Sequence, residues 1–354
     1  MRRVSIEKVQ SGMRLAKSIY SEDGQVLLGT GVELKETYIE RLRNFNISEI
    51  YIEDELSKDI DVKDVINDRT RQEAKTLIRN IMEECKNTSQ FTSDKVKGMV
   101  NHIIDELLAN KDILINLSDL KTVDDYTFAH SVNVCVLSLI TGIKLGLNQL
   151  RLRDLGVGAL LHDIGKIVIP ENILKKPARL DDNEFNVIKT HTTLGYDIVK
   201  NNPNISASSA YIVLAHHERY DGSGYPLCIK GDNIHLFARI VAIADVYDAL
   251  TSDRVYRKKV KVHEVIEYIT TLGEHHFDKT IVECFLENIA VYPVGTGVIL
   301  STGEKGIIVD VNKRFPARPI VRVVCNPDGS RKNAFEEIDL TKTLNIMIRD
   351  TCEI

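Results

Sequence analysis

The sequence predicts a mainly α protein, with a long helical middle, a small α+β domain before it and a small β-rich extension after it. Between about 120 and 290 the chain reads as almost wholly helical, broken at Gly146, Gly165, Pro170, Pro177, Pro203 and a glycine turn near 222. Before 60 and after 291, short β-branched runs alternate with turn residues instead. At 354 residues, 43% hydrophobic and 27% charged, the chain is long enough for two or three domains and too ordinary in composition for disorder.

Within the first domain, residues 1–60, "AKSIYSEDGQVLL" predicts two strands around Glu22, Asp23 and Gly24. A helix near "LKETYIERLRNF" and a strand "SEIYIED" follow. Residues 61–119 read as a helical connector, with Val96, Met99, Val100, Ile103, Ile104, Leu107 and Leu108 at i, i+3, i+4 spacing. That stripe is a core face, or alternatively the seam of a homodimer. Residues 120–290 form the main helical domain. Inside it Asp181 and Glu184 make a capping-box pattern that starts a helix reaching His191 about three turns on. Residues 291–354, with "VGTGVILSTGEKGIIVDV" and "RPIVRVVCNPDGS", predict a small barrel-like β extension.

Charge and cysteine usage narrow the function. A net charge of -5 argues against a broad grip on a nucleic-acid polymer and leaves room for a local basic pocket that takes a small phosphorylated ligand. The 6 cysteines have no paired spacing, which suits free thiols in a reducing compartment. No signal-peptide region opens the chain and no run approaches a membrane span, so a cytoplasmic location is expected.

The chemistry concentrates in the histidines. Of 10, His130, His162, His191, His216 and His217 fall within the helical block, and Asp163 follows His162 directly. Imidazole and carboxylate together suit Fe, Mn or Zn, and a carboxylate can bridge two ions. Adjacent side chains in a regular helix diverge by about 100°, so such pairs chelate better at helix ends. Both pairs sit there, before Gly165 and Gly222. Asp245 lies in an otherwise apolar helix with Ile240, Val241, Ile243 and Val246, where an inward carboxylate needs a partner or a metal. Asp248, three residues on, is either a supporting partner or exposed. A second pair, His275 and His276, together with His102, His235 and His263, is read as structural or exposed.

The ordered set of His130, "HDIGK" at 162–166, His191, "HHERYDGSGYP" at 216–226 and "ADVYDALTSDRVYR" at 244–257 resembles the HD-GYP domain, a bacterial branch of the HD phosphohydrolases. The flanking stretches are similar to small domains often found beside it. The resemblance implies an all-helical HD-type bundle whose Asp163 bridges two metals, Fe or Mn with Zn as the third candidate. His130, His162 and Asp245 would complete one ion, and His191, His216 and His217 the other. Tyr126 stands where some members carry a Glu for a third metal, which favours a binuclear site. The implied activity is hydrolysis of cyclic di-GMP to linear pGpG, and on to GMP in many members, by a metal-bridging hydroxide. Cyclic GMP-AMP is the alternative substrate. The bridged pair would lower the pKa of a shared water and neutralise phosphoryl charge.

Asp163 and Lys166 are then the catalytic candidates, with Lys166 pairing a non-bridging phosphate oxygen. Arg254 and Arg257 are candidates for holding the second phosphate or a guanine edge by forked hydrogen bonds. Val255 and Lys279 replace prolines of the family pattern without touching a ligand position. Gly222 and Gly224 permit a tight turn with positive φ, and the resemblance implies that the loop they form contacts GGDEF-domain diguanylate cyclases. Two other readings compete. A catalytically silent cyclic dinucleotide sensor predicts a missing ligand, and a wider HD-group nucleotidase needs only His130, His162, Asp163 and Asp245.

Overall fold

In a computed structural model, residues 1–21, 24–45, 47–88, 91–110, 114–115, 126–252, 259–273 and 275–354 are described. They fall in two compact units. One combines both ends of the chain, Met1–Val65 and Ile289–Ile354. The other is helical and runs from Ile66 through the second and third helices and from Tyr126 to Asn288.

In the first unit, β1 (Arg2–Ser5), β2 (Arg14–Leu15) and β5 (Glu49–Glu53) form an antiparallel sheet in the order β1-β5-β2. The strands expected around the 22–24 turn pair as β3 (Ile19–Tyr20) and β4 (Val26–Leu28), and Glu22 and Asp23 lie outside the described residues. Helix α1 (Glu36–Asn44) buries Ile39 and Leu42 against Val4, Leu15 and Ile50. After Ile289 come β6 (Gly297–Leu300), β7 (Lys305–Asp310), β8 (Ile320–Cys325), β9 (Arg331–Asp339) and β10 (Ile348–Thr351), antiparallel in the order β10-β6-β7-β8-β9.

The two ends share a core, so the segments 1–60 and 291–354 regroup into one body. The alternation of a β-strand is the reason. On β5, Ile50 and Ile52 face the N-terminal cluster, while Tyr51 faces Val298, Leu300, Ile307 and Val323 of the C-terminal sheet. Arg322 on β8, nearly buried, donates to both oxygens of Asp59 at 2.6 Å and to the Leu56 carbonyl at 3.1 Å. That forked pair holds the Asp59 carboxyl down to about 2.

The connector segment joins the helical unit through α2 (Asp68–Thr88) and α3 (Ser93–Ala109). Val96, Val100, Ile103, Ile104 and Leu107 are all buried within the chain, so this stripe is core and those positions are not free to form a dimer seam. Next come α4 (Tyr126–Lys144), α5 (Gln149–Leu161), a 3-10 turn at Ile164–Val168, α6 (Glu171–Leu174), α7 (Asp182–Lys189) and α8 (His191–Lys200). Then follow α9 (Ala207–Ala215), α10 (Leu236–Thr251), α11 (Val262–Leu272) and α12 (Lys279–Leu286). Helix α4 is long and apolar enough over Thr127–Lys144 to cross a membrane by length and composition, but 72% of that window is buried inside the protein. A helix apolar on every side belongs at the centre of a bundle.

The Asp181–Glu184 capping box forms, with each side chain bonded to the other's backbone N–H at 2.9 Å. The helix it starts ends at Lys189, however, and His191 opens the next helix instead of riding on this one.

Candidate metal centre

Helix ends place most of the candidate ligands. His162 caps the end of α5 and Asp163 follows it, His191 is the first residue of α8, and His216 caps the end of α9 with His217 beyond. His130 and Asp245 instead project from within α4 and α10. At His162 and Asp163 the chain turns tightly against α8. A Cβ on Gly165 would stand 1.9 Å from the His191 carbonyl oxygen and 2.6 Å from the Gly195 amide nitrogen, so only glycine lets the two backbones meet here.

The side chains converge in two triads. Ligand atoms of His130, His162 and Asp245 lie within 4.8 Å of one another, and so do those of His191, His216 and His217. Asp163 stands between them. Its Oδ2 lies 3.4 Å from His162 Nε2 and 3.8 Å from His130 Nε2, whereas its Oδ1 faces His191 Nε2 at 3.4 Å and His216 Nε2 at 4.0 Å. One carboxylate thus presents a separate oxygen to each set.

Tautomers follow from the anchors. His162 Nδ1–H donates to the Ala159 carbonyl at 2.8 Å, His191 Nδ1–H to Ile188 at 2.6 Å, and His216 Nδ1–H to Val213 at 3.0 Å. A carbonyl only accepts, so each neutral ring turns a lone pair on Nε2 inward. His191 and His216 then face each other Nε2 to Nε2 at 3.4 Å, lone pair against lone pair. Among the described residues, His162 Nε2 and Asp163 Oδ1 are buried with no hydrogen-bond partner. Buried lone pairs aimed at one another call for a cation, and imidazole with carboxylate is a donor set that Fe, Mn and Zn accept. The residues present fit two divalent ions.

Electrostatics agree with that fit. Burial holds the imidazolium forms of His191 and His216 down, and pushes His217 to about 3, so these rings stay neutral as ligands must. Burial alone would raise the Asp163 carboxyl, but the Lys166 ammonium beside it holds it well below the usual range. Asp245 is held down against burial by the hydrogen bond from His130. For His130 burial works against the charge, yet Asp245 and Asp248 on its two sides raise it. His217 is the ligand with an open edge, its side chain 26% exposed beneath Tyr225, whose ring lies 4.8 Å from it.

A pH dependence follows for chelator-treated protein. His191, His216 and His217 bind a proton less readily folded than unfolded, so stability is lost as pH falls below the ordinary 6.5, down toward about 3 for His217. His130, with its raised value, opposes them by stabilising the fold below 6.5. Three rings outweigh one, so the thermal midpoint by circular dichroism should be lower at about pH 5.5 than at about pH 7.5. An equal or higher midpoint at the acid value would contradict this.

Lys166 donates to Asp163 Oδ2, with a quarter of its side chain exposed toward solvent. Arg254 and Arg257 lie outside the described residues. Gly222 has the expected positive φ of 86°, but Gly224 is required for a different reason. Its Cβ would meet the Arg219 amide nitrogen at 2.3 Å and the His217 carbonyl oxygen at 2.5 Å. His275 and His276 contribute no ligand atom to either triad, although the His276 carbonyl accepts from the Tyr220 amide and anchors the glycine loop.

Sequence reasoning missed three supporting groups. Glu218, buried, accepts from the backbone N–H groups of Leu227, Cys228 and Ile229 and so folds the loop around itself. Asn133 and Arg71 form a buried chain to Asp248, which turns out to be buried and bonded to His130 Nδ1 at 2.7 Å. A signal for Asn133 existed: it stands three residues after His130 in the apolar helix α4.

A helical bundle that brings together a His-His-Asp and a His-His-His triad on either side of one aspartate defines a class of protein, and comparison with known chains agrees with it. Residues 102–281, half of the chain, match the HD domain family, and residues 297–354 match a KOW domain associated with HD domains. The chain belongs to the HD domain family, and its 216–226 loop places it in the HD-GYP branch. It is 35% identical over 250 residues to a cyclic di-GMP phosphodiesterase of Pseudomonas aeruginosa, an alignment covering 71% of this chain and 60% of that one. It is 38% identical over 165 residues to a 3'3'-cGAMP-specific phosphodiesterase of Vibrio cholerae, covering 46% of this chain and 37% of that one. An HDG"Y"P protein from Bdellovibrio bacteriovorus shares the fold, with a TM-score of 0.51 at 16% identity over 80% of this chain and 97% of that one.

Proposed function

We propose that this protein is a metal-dependent phosphodiesterase that opens cyclic di-GMP to linear pGpG. The observation that carries the reading is Asp163, with one oxygen facing each triad. Relatives named cyclic di-GMP phosphodiesterases support the substrate. Two divalent ions, Fe or Mn before Zn, would be held by His130, His162 and Asp245 on one side and His191, His216 and His217 on the other. When bound, such a pair supplies a nucleophile at neutral pH and charge neutralisation at the phosphoryl oxygens. The protein's own residues do the positioning. Asp163 keeps both sets in register, the buried rings stay unprotonated, and Lys166 beside Asp163 is placed to pair with a non-bridging phosphate oxygen. Arg254 and Arg257 are assigned the second phosphate or a guanine edge.

Cyclic GMP-AMP is the second substrate reading, favoured by the similarity to the Vibrio cholerae enzyme. Chromatography of protein loaded anaerobically with Fe(II) or Mn(II) decides between the two. Cyclic di-GMP should be consumed at least ~10-fold faster than cyclic GMP-AMP, and Arg254→Ala with Arg257→Ala should raise KM by about 10-fold or more each, as loss of a forked charged contact predicts. A preparation that binds metal and nucleotide yet leaves both substrates intact would establish a sensor instead.

The loop at 216–226 is assigned to contact GGDEF-domain cyclases, with Leu227, 48% exposed beside it, as the apolar point. Leu227→Asp should then abolish co-elution with a purified diguanylate cyclase, and unchanged co-elution would exclude this surface. A cytoplasmic location, supported by free cysteines throughout the described chain, is tested by cell fractionation.

A further inference from the structure

We infer that Arg71, far from the motif residues and outside the matched family region 102–281, positions His130 through Asn133 and Asp248. The inference rests on the metal reading above. Arg71 sits near the start of α2, a helix whose sequence is mostly polar, yet it is 2% exposed and among the largest fully buried side chains. A guanidinium is always charged, so its burial is costly unless its donors are used.

Its Nη1 donates to Asn133 Oδ1 at 2.8 Å. Because arginine has no acceptor, that contact sets which way the amide points, and Asn133 Nδ2 is left to donate to Asp248 Oδ1 at 2.8 Å. Asp248 Oδ2 then meets His130 Nδ1 at 2.7 Å. All four side chains are at most 2% exposed. Donation runs from the cation through the amide to the Asp248 carboxylate, which accepts from the His130 imidazole on its other side.

Its consequence is a fixed tautomer. A carboxylate held against Nδ1 keeps a proton there, so that Nε2, bonded to Asp245 Oδ1 at 3.0 Å in the ion-free protein, is the nitrogen left to face an ion. Asn133 separates the guanidinium from the carboxylate, so Arg71 orients Asp248 without drawing it out of line as a direct ion pair would. Arg71 and Asn133 are positioning residues, because neither belongs to a ligand triad and both act through Asp248.

Groups supporting a metal-bound histidine typically change affinity by about 10–100-fold when removed. Apo protein would be titrated with Zn(II) against a chromophoric chelator for wild type, Arg71→Met and Asn133→Leu, with apo circular dichroism as the check on folding. Each variant is expected to bind one ion as wild type does and the other about 10-fold more weakly or worse. Arg71 makes further interactions besides the one to Asn133, so Asn133→Leu is the sharper variant.

A second readout needs no variant. Nitrogen-15 spectra of the histidine rings in Zn(II)-loaded wild type should show His130 protonated at Nδ1, and in Asn133→Leu that signal should weaken or shift. A staple that merely joined α2 to α4 would leave it unmoved. The inference is overturned if His130 carries its proton on Nε2, or if folded variants bind both ions with wild-type affinity. Wild type that binds no Zn(II) overturns the metal reading itself, which is a different failure.

Discussion

Asp163→Asn is expected to abolish tight binding of both ions together and to lower phosphodiester hydrolysis by at least ~10³-fold. The magnitude follows from several kcal/mol of charge stabilisation supplied by bound metal, at about 1.36 kcal/mol per tenfold. Asparagine keeps the shape but has one acceptor oxygen, so it can serve only one of the two triads that Asp163 Oδ1 and Oδ2 now face. Its NH2 group would point donors at a set of inward lone pairs. Lys166 would also lose the anion it is bonded to. Metal content by mass spectrometry and turnover on the same samples check this, with circular dichroism confirming the fold. A variant that retains two ions per chain and activity within about 10-fold would remove Asp163 from the bridging role.

Gly165→Ala is expected to be the most damaging change outside the ligand set. The new Cβ would fall 1.9 Å from the His191 carbonyl oxygen and 2.6 Å from the Gly195 amide, both backbone atoms that cannot swing aside. Gly195 is confined less severely from its own side, where a Cβ would meet the Gly165 amide nitrogen at 3.0 Å. Overpacking of a tight contact costs about 1–3 kcal/mol, and for a helical body of this size the upper end lowers the thermal midpoint by roughly 6–12 °C. Relief requires α8 to move away from the turn, which carries His191 away from Asp163. The variant should therefore keep its helical spectrum but lose the ion bound by His191, His216 and His217. Calorimetry together with metal content tests it, and a wild-type midpoint with both ions retained would show that the contact is not needed.

The two experiments probe different kinds of information. Asp163, His162, His191, His216, His217, His130 and Asp245 are legible in the sequence because their residue types are rare in helical cores and their spacing is distinctive. The capping box at Asp181 is legible for the same local reason, although the helix it starts stops one residue short of Thr190 and hands His191 to a new one. The strands at both ends are legible from alternation. What alternation does not reveal is that Tyr51 on β5 faces the C-terminal sheet, since a strand's second face has no mark saying which distant segment will cover it.

By itself the sequence determined the mainly helical class, the motif residues and the kind of ion they suit, all of which depend on composition and short-range periodicity. Tertiary structure alone decided finer points: which oxygen of Asp163 faces which triad, why Gly165 and Gly224 must lack a side chain, and that Asp248 is a buried partner of His130. It also decided that Arg71, on a polar helix outside the motif region, ends up buried at the end of a hydrogen-bond chain to the site. The physical reason is range. Propensity, capping and helical spacing act over a few residues and can be read along the chain, whereas backbone approach and burial of a charge depend on what another segment, up to 177 residues away for Arg71 and Asp248, brings to the same place.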